Sequence, residues 1–153
     1  MSQSMNTDIA PVTKADLEAV MQLVREVAQQ DVLPLFSHEG QETFLNRVLP
    51  DVETTFDSSK FIALKASQGS KLVGFAALRE GNFLTHLFVD KSVQGSGLGK
   101  TLLSTLLEST EASEVSLCSS VNAVGFYQHL GFFPTGPQAQ KNGVRFVPMS
   151  IKR

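Results

Sequence analysis

Residues 82–107, NFLTHLFVDKSVQGSGLGKTLLSTLL, change their apolar rhythm once, and the change falls on a glycine-rich turn. Asn82–Val89 is a short apolar run of strand type, whereas from Gly97 onward Leu98, Leu102, Leu103, Leu106 and Leu107 line one side of a helix ending near Ser109. Between them lie Gly95, Gly97 and Gly99. Glycine reaches positive φ and lets backbone approach a ligand closely. The unpaired N–H groups at a helix start, with the positive end of the helix dipole, then make a cradle for phosphate. Whatever fold the chain adopts must contain this strand–turn–helix unit.

The remaining segments supply the rest of a sheet and its helices. A short strand is expected around Ile9–Val12, after a loose tail over residues 1–7. Thr13 reads as an N-cap with Asp16 three residues on, and Leu17, Val20, Met21, Val24 and Val27 form one apolar face of a helix to about Gln30. A second helix is expected over Glu39–Leu49, with Phe44, Leu45 and Val48 inward and Pro50 ending it. Phe61–Ala66, Lys71–Leu78 and Asn82–Val89, separated by turns containing Gly69 and Gly81, read as a three-strand antiparallel meander. Val115–Cys118 follows as a strand, Ser120 caps a helix through Leu130, and Phe132–Pro134 and Val144–Ile151 close the sheet. The order predicts an α/β fold with a mixed sheet, one domain over residues 8–153.

The turn QGSGLGKT lies one residue from a nucleotide-binding P-loop, which needs glycine where this chain has Gln94. A P-loop also follows the first strand of a parallel sheet and relies on a later strand ending in a magnesium-binding Asp. Here about 90 residues precede the turn, and the downstream strand VSLCSS ends in serines. Both features make a P-loop a poor reading of this turn.

The alternative pattern is Q-x-x-G-x-G, from Gln94 to Gly99. Together with SSVNAVGFYQHLGF about thirty residues later and the ending GVRFVPMSIKR, it makes the chain resemble the GNAT superfamily of acyl-CoA-dependent N-acetyltransferases, in order and over nearly its whole length. The resemblance implies a mostly antiparallel central sheet flanked by about four helices. It is splayed between its fourth and fifth strands, Asn82–Val89 and Val115–Cys118, so that the pantetheine of acetyl-CoA enters the gap. Carried over residue by residue, the cofactor-binding set is Leu87, Phe88, Val89, Gln94, Gly95, Ser96, Gly97, Leu98, Gly99, Lys100, Thr101, Ser120, Asn122 and Tyr127, with Lys100 or Lys91 adding charge at the rim. The Leu87 N–H would polarise the thioester carbonyl. Tyr127, the only tyrosine, matches the family tyrosine that protonates the departing thiolate. Ser120 stands where many members carry the helix-capping Asn, with Asn122 two residues late.

The expected general base is less legible. Many members carry Glu eleven residues before the motif glutamine, and here that residue is Phe83. Glu80, His86 and Glu39 are the candidates, with Glu80 taken first. For the acceptor, an amine of a small molecule, peptide N-terminus or lysine, the resemblance points to residues 29–42 and 136–143. Phe36 and Phe44 would line an apolar wall, and Asp31, Glu39 and Glu42 would meet an ammonium group. The missing base position keeps open a non-catalytic acyl-CoA-binding regulatory module.

Charge and cysteine usage set the remaining expectations. Residues 1–60 hold 10 acidic and 4 basic side chains, net −6, and residues 61–153 hold 5 acidic and 9 basic, net +4. An anionic cofactor favours the second part, and an overall charge of −2 argues against nucleic acid as partner. No run reaches the ~20 apolar residues of a membrane span, and the polar start lacks a secretory signal. One cysteine, Cys118, allows no internal disulfide and argues against a cysteine-based metal site, and its apolar surroundings predict buried packing. A cytoplasmic monomer or homodimer without a metal is the expectation.

Overall fold

The computed structural model describes residues 7–32, 37–141 and 144–153. The described strands form one eight-stranded sheet: β1 (Thr7–Pro11), β2 (Phe61–Gln68), β3 (Lys71–Arg79), β4 (Phe83–Val89), β5 (Glu114–Ser120), β6 (Phe133–Pro134), β7 (Ala139–Lys141) and β8 (Val144–Lys152). Their spatial order is β1-β2-β3-β4-β5-β8-β6, with β7 also pairing β8. All pairings are antiparallel except β4 with β5. Among the described residues four α-helices flank it: α1 (Leu17–Val27), α2 (His38–Thr54), α3 (Leu98–Glu108) and α4 (Val124–His129).

Strand β3 lies at the centre, with Val73 through Leu78 all buried. It divides two apolar layers. On one face Val20, Leu23, Val24 and Val27 of α1 and Val52 of α2 pack on Ala63, Phe75 and Ala77. On the other, Leu98, Leu102, Leu103 and Leu106 of α3 cover Leu64, Ala76, Leu78, Leu84, Val115 and Leu117. The alternation of strand side chains sends neighbours to opposite layers, so both helical layers are dictated by the same apolar runs.

The meander and the leucine helix fall where the periodicity puts them. Thr7 already pairs with Gln68, so the first strand starts inside the segment expected as tail. At the start of α1 the Asp16 carboxylate accepts the Thr13 N–H at 2.7 Å and binds Lys65 of β2 at 2.9 Å. Helix α2 runs past Pro50 to Thr54, where sequence reasoning ends it. Proline there removes one ladder bond, but Val52 and Thr55 are buried and the Thr54 and Thr55 hydroxyls bond back to Pro50 and Val52 carbonyls. Burying one valine is worth ~1.5–3 kcal/mol, comparable with the ~3 kcal/mol cost of interior proline. Leu45 and Val48, expected inward, have side chains outside the described residues. Strand β7 falls in a segment read as loop.

Candidate active site

The sheet opens at one seam. The parallel neighbours β4 and β5 pair only at Phe83 with Ser116 and Leu84 with Leu117, and beyond these residues they part. A bulge accompanies the parting: β3 steps one residue from Ala77 to Leu78 while β4 steps two, from His86 to Leu84, leaving Thr85 unopposed. The extra residue changes which face each side chain meets. Leu84, Leu87 and Val89 belong to the α3 layer, whereas His86 and Phe88 face the α1 layer, where the His86 ring lies 5.8 Å from Phe75.

The seam also exposes main-chain groups. Asp90 donates its N–H to Val73 at 2.8 Å, so the antiparallel alternation turns Phe88 and His86 toward β3 and leaves Leu87 and Val89 facing the gap. The Gln94 side chain accordingly reaches the Val89 carbonyl at 3.0 Å, fastening the glycine turn to the strand end. Asp90 accepts the N–H and hydroxyl of Ser92 at 2.8 and 2.7 Å, which holds its carboxyl below the usual range and occupies it in the turn.

The turn itself is built by backbone geometry. Gly95 and Gly97 have φ of 85° and 87°, and a Cβ at either would meet nothing within 4 Å. The space beside them is therefore open to a ligand. Gly97 is the N-cap of α3, and the helical ladder starts with the Thr101 N–H on the Gly97 carbonyl, so Leu98, Gly99 and Lys100 donate to no helix carbonyl. At Gly99, by contrast, a Cβ would lie 3.4 Å from the Phe126 ring, so helix α4 closes in there.

Helix α4 carries Tyr127, whose ring packs edge-on against Phe126 and Phe132 at 5.1 and 5.7 Å. Gly131, at φ 104°, ends the helix, and the Phe132 N–H bonds back to the Tyr127 carbonyl at 3.0 Å. Backbone and ring are thus fixed, and no described residue hydrogen-bonds the hydroxyl. Burial pushes its pKa up to about 12, so the phenol stays protonated.

These parts line one cleft of about 1290 Å³, which passes through the split sheet. On the α3 and α4 side it meets Leu87, Val89, the turn at Gln94, Gly95, Gly97, Gly99 and Lys100, and Ser120, Asn122 and Tyr127. On the α1 and α2 side it meets Val27, Thr43, Phe44, Arg47, Asp51, His86 and Phe88. Burial lowers the His86 pKa to about 4, so the ring is neutral, and Nδ1 lies 2.8 Å from the Thr85 hydroxyl.

Several sequence expectations are placed elsewhere. Glu80 is exposed in the β3–β4 turn at φ 54°, outside the cleft, and Glu39 and Glu42 lie on α2 away from the lining, Glu42 paired with His38 at 3.3 Å. Ser96 and Thr101 do not line the cleft, and the Leu98 side chain is buried in the core. Ser120 ends β5 and does not cap α4, because a turn closed by Ala123 N–H on the Ser120 carbonyl intervenes. Cys118 is exposed in the cleft and not buried: only the alternate residues Val115 and Leu117 enter the core, and the seam leaves Cys118 uncovered. Phe36 lies outside the described residues, as does the Asp31 side chain. Sequence reasoning missed Thr43, Arg47 and Asp51, which share one spacing of four along α2; with the helix expected to stop before Pro50, Asp51 had no place in that stripe.

The fold and seam define the class. The family model for the acetyltransferase (GNAT) domain matches residues 32–153, and the chain belongs to that family. Among solved structures it is similar to a GCN5-related N-acetyltransferase from Rhodopseudomonas palustris, with TM-score 0.82 and 20% identity over 100% of both chains. PaiA N-acetyltransferase from Thermoplasma acidophilum, solved in complex with coenzyme A, aligns with TM-score 0.75 and 23% identity over 97% of this chain and 100% of that one. Aminoglycoside 6'-acetyltransferase type Ii aligns at 0.71 and 18% over 95% and 96%. No curated protein matches the chain. Among the described residues no helix is long and apolar enough to cross a membrane, and no group of three or more His, Cys, Asp or Glu side chains is placed to hold a metal ion.

Proposed function

We propose that the chain transfers an acetyl group from acetyl-CoA to an amine, directly, within a ternary complex. The observation that supports this most is the through-sheet cleft: it joins an open N–H cradle on the α3 and α4 side to a part lined by α1 and α2, with a protonated phenol beside the seam. Acetyl-CoA, when bound, supplies an acetyl group activated as a thioester. The residues present fit it. The N–H groups of Leu98, Gly99 and Lys100 and the Lys100 ammonium hold the pyrophosphate, and no Cβ fills the cradle at Gly95 or Gly97. The main-chain groups of Leu87 and Val89 take the pantetheine arm as a further strand would.

Chemistry follows from two donors and a path for one proton. The Leu87 N–H polarises the thioester carbonyl, a backbone role that needs no side chain. Tyr127 gives a hydrogen bond to the departing sulfur. A phenol at about 12 is a weaker acid than a thiol at ~8.5, so its proton moves to sulfur in step with its replacement from the attacking nitrogen. Carbon–nitrogen bond formation, carbon–sulfur cleavage and transfer of one amine proton to the thiolate then balance. The test is thiol release from acetyl-CoA across a panel of amines, amino acids and peptides, with mass analysis of the acceptor. An acetylated nitrogen is expected. Binding of acetyl-CoA without transfer to any acceptor would instead identify a regulatory binder.

A further inference from the structure

The chamber on the α1 and α2 side carries a recognisable charge pattern. Arg47 and Asp51 both line it from α2, one helical turn apart. Residues at this spacing sit with Cβ atoms ~5–6 Å apart and readily pair. His38 and Glu42, four residues apart on the same helix, do pair at 3.3 Å. Arg47 and Asp51 do not: among the described residues neither forms an ion pair with the other or with any third group. Around them Val27, Phe44 and Phe88 supply apolar wall, beside the polar Thr43 and the neutral His86 ring.

Resting on the transferase reading above, we infer that the acceptor is a primary amine that carries its own carboxylate on an apolar body, an amino acid in the chemical sense. Arg47 holds the carboxylate as a fork-shaped, permanently charged donor set. Asp51 meets the ammonium group as it enters, and the ammonium sheds one proton to the solvent-filled cleft before the neutral amine reaches the thioester. Val27, Phe44 and Phe88 take the apolar body. A polyamine fits less well, because one of its cations would face the Arg47 guanidinium, and a purely hydrophobic amine leaves Arg47 without a counter-ion. Neither Glu39 nor Glu42 takes part, since both lie outside the cleft.

The test compares phenylalanine with phenethylamine, which differ by the carboxylate alone, in wild-type protein, Arg47→Gln and Asp51→Asn, by initial rates of thiol release. Phenylalanine is expected to exceed phenethylamine in kcat/KM by tenfold or more. Arg47→Gln should cut the phenylalanine value at least tenfold, mainly through KM, and the phenethylamine value less than threefold. Asp51→Asn should raise KM for both. Equal or better use of phenethylamine overturns the inference while leaving the transferase reading intact, as does an equal loss for both acceptors in Arg47→Gln. Better use of an aminoalkyl phosphate than of phenylalanine overturns the carboxylate assignment. If acetyl-CoA binds but no acceptor of the wider amine panel is acetylated, the transferase reading itself fails and the inference falls with it.

Discussion

Replacing Tyr127 by phenylalanine removes one oxygen and should move stability and rate in opposite directions. The ring's contacts to Phe126 and Phe132 at 5.1 and 5.7 Å, and its packing on the core, survive the change. The hydroxyl has no described hydrogen-bond partner, yet it is not sealed from solvent, because no buried side-chain oxygen is left unsatisfied among the described residues. Deleting a poorly satisfied hydroxyl relieves part of a desolvation cost of ~1–3 kcal/mol, so the folded state should gain between nothing and about 1 kcal/mol. For a domain of this size that is an upward Tm shift of at most ~4 °C. The single-turnover rate should nevertheless fall by ~10²-fold, about 2.7 kcal/mol at the barrier. Rapid-quench transfer with saturating acetyl-CoA and acceptor reads the chemical step apart from product release. The acetyl-CoA Kd should hardly move. A purely structural role for Tyr127 would lower Tm and rate together, and an unchanged single-turnover rate would remove the hydroxyl from the chemistry.

Four further outcomes follow from the same geometry. Coenzyme A at about a hundred times its Kd should raise Tm by roughly 5–10 °C, and ATP with magnesium should not; Gly97→Val should weaken coenzyme A binding by ~10²-fold while costing the free protein only ~1–3 kcal/mol of φ strain, read by calorimetry and urea melts. Tyr127 is the only tyrosine and there is no tryptophan, so the ultraviolet tyrosinate titration reports it alone, with a midpoint near 12 in the native protein and near 10 after denaturation. His86 is depressed from 6.5 to about 4, so the fold excludes its charged form; stability is fully present above pH 6.5 and should decline by about 3 kcal/mol as pH falls toward 4, and His86→Phe should flatten that slope.

The layers of this fold were readable because each apolar run keeps one period: Leu98, Leu102 and Leu106 can only be a buried helical stripe, and Val73–Leu78 can only be a central strand. The glycine turn was readable for the same local reason, since Gly95 and Gly97 have no other residue's freedom at φ near 85°. What escaped depends on neighbours. The extra residue at Thr85 is a relation between β3 and β4, and it decides that Leu84 and Leu87, three residues apart, share the α3 layer. Cys118 looks like core in an apolar run, and only the parting of β4 from β5 uncovers it. Asp51 sits behind a proline that ends most helices, and the burial of Val52, invisible locally, carries the helix past it.

The most direct measurement is residue-resolved amide exchange of β4 by NMR, with and without coenzyme A. The seam leaves the Leu87 and Val89 N–H groups facing the gap, whereas those of Phe88 and Asp90 point to β3. Leu87 and Val89 should exchange rapidly in the free protein and become protected, by ~10²-fold or more, when coenzyme A is added, while Phe88 stays slow in both states. Slow exchange at Leu87 and Val89 in the free protein would mean the seam is closed by another pairing. Unchanged fast exchange in the presence of saturating coenzyme A would mean the pantetheine arm does not lie between β4 and β5.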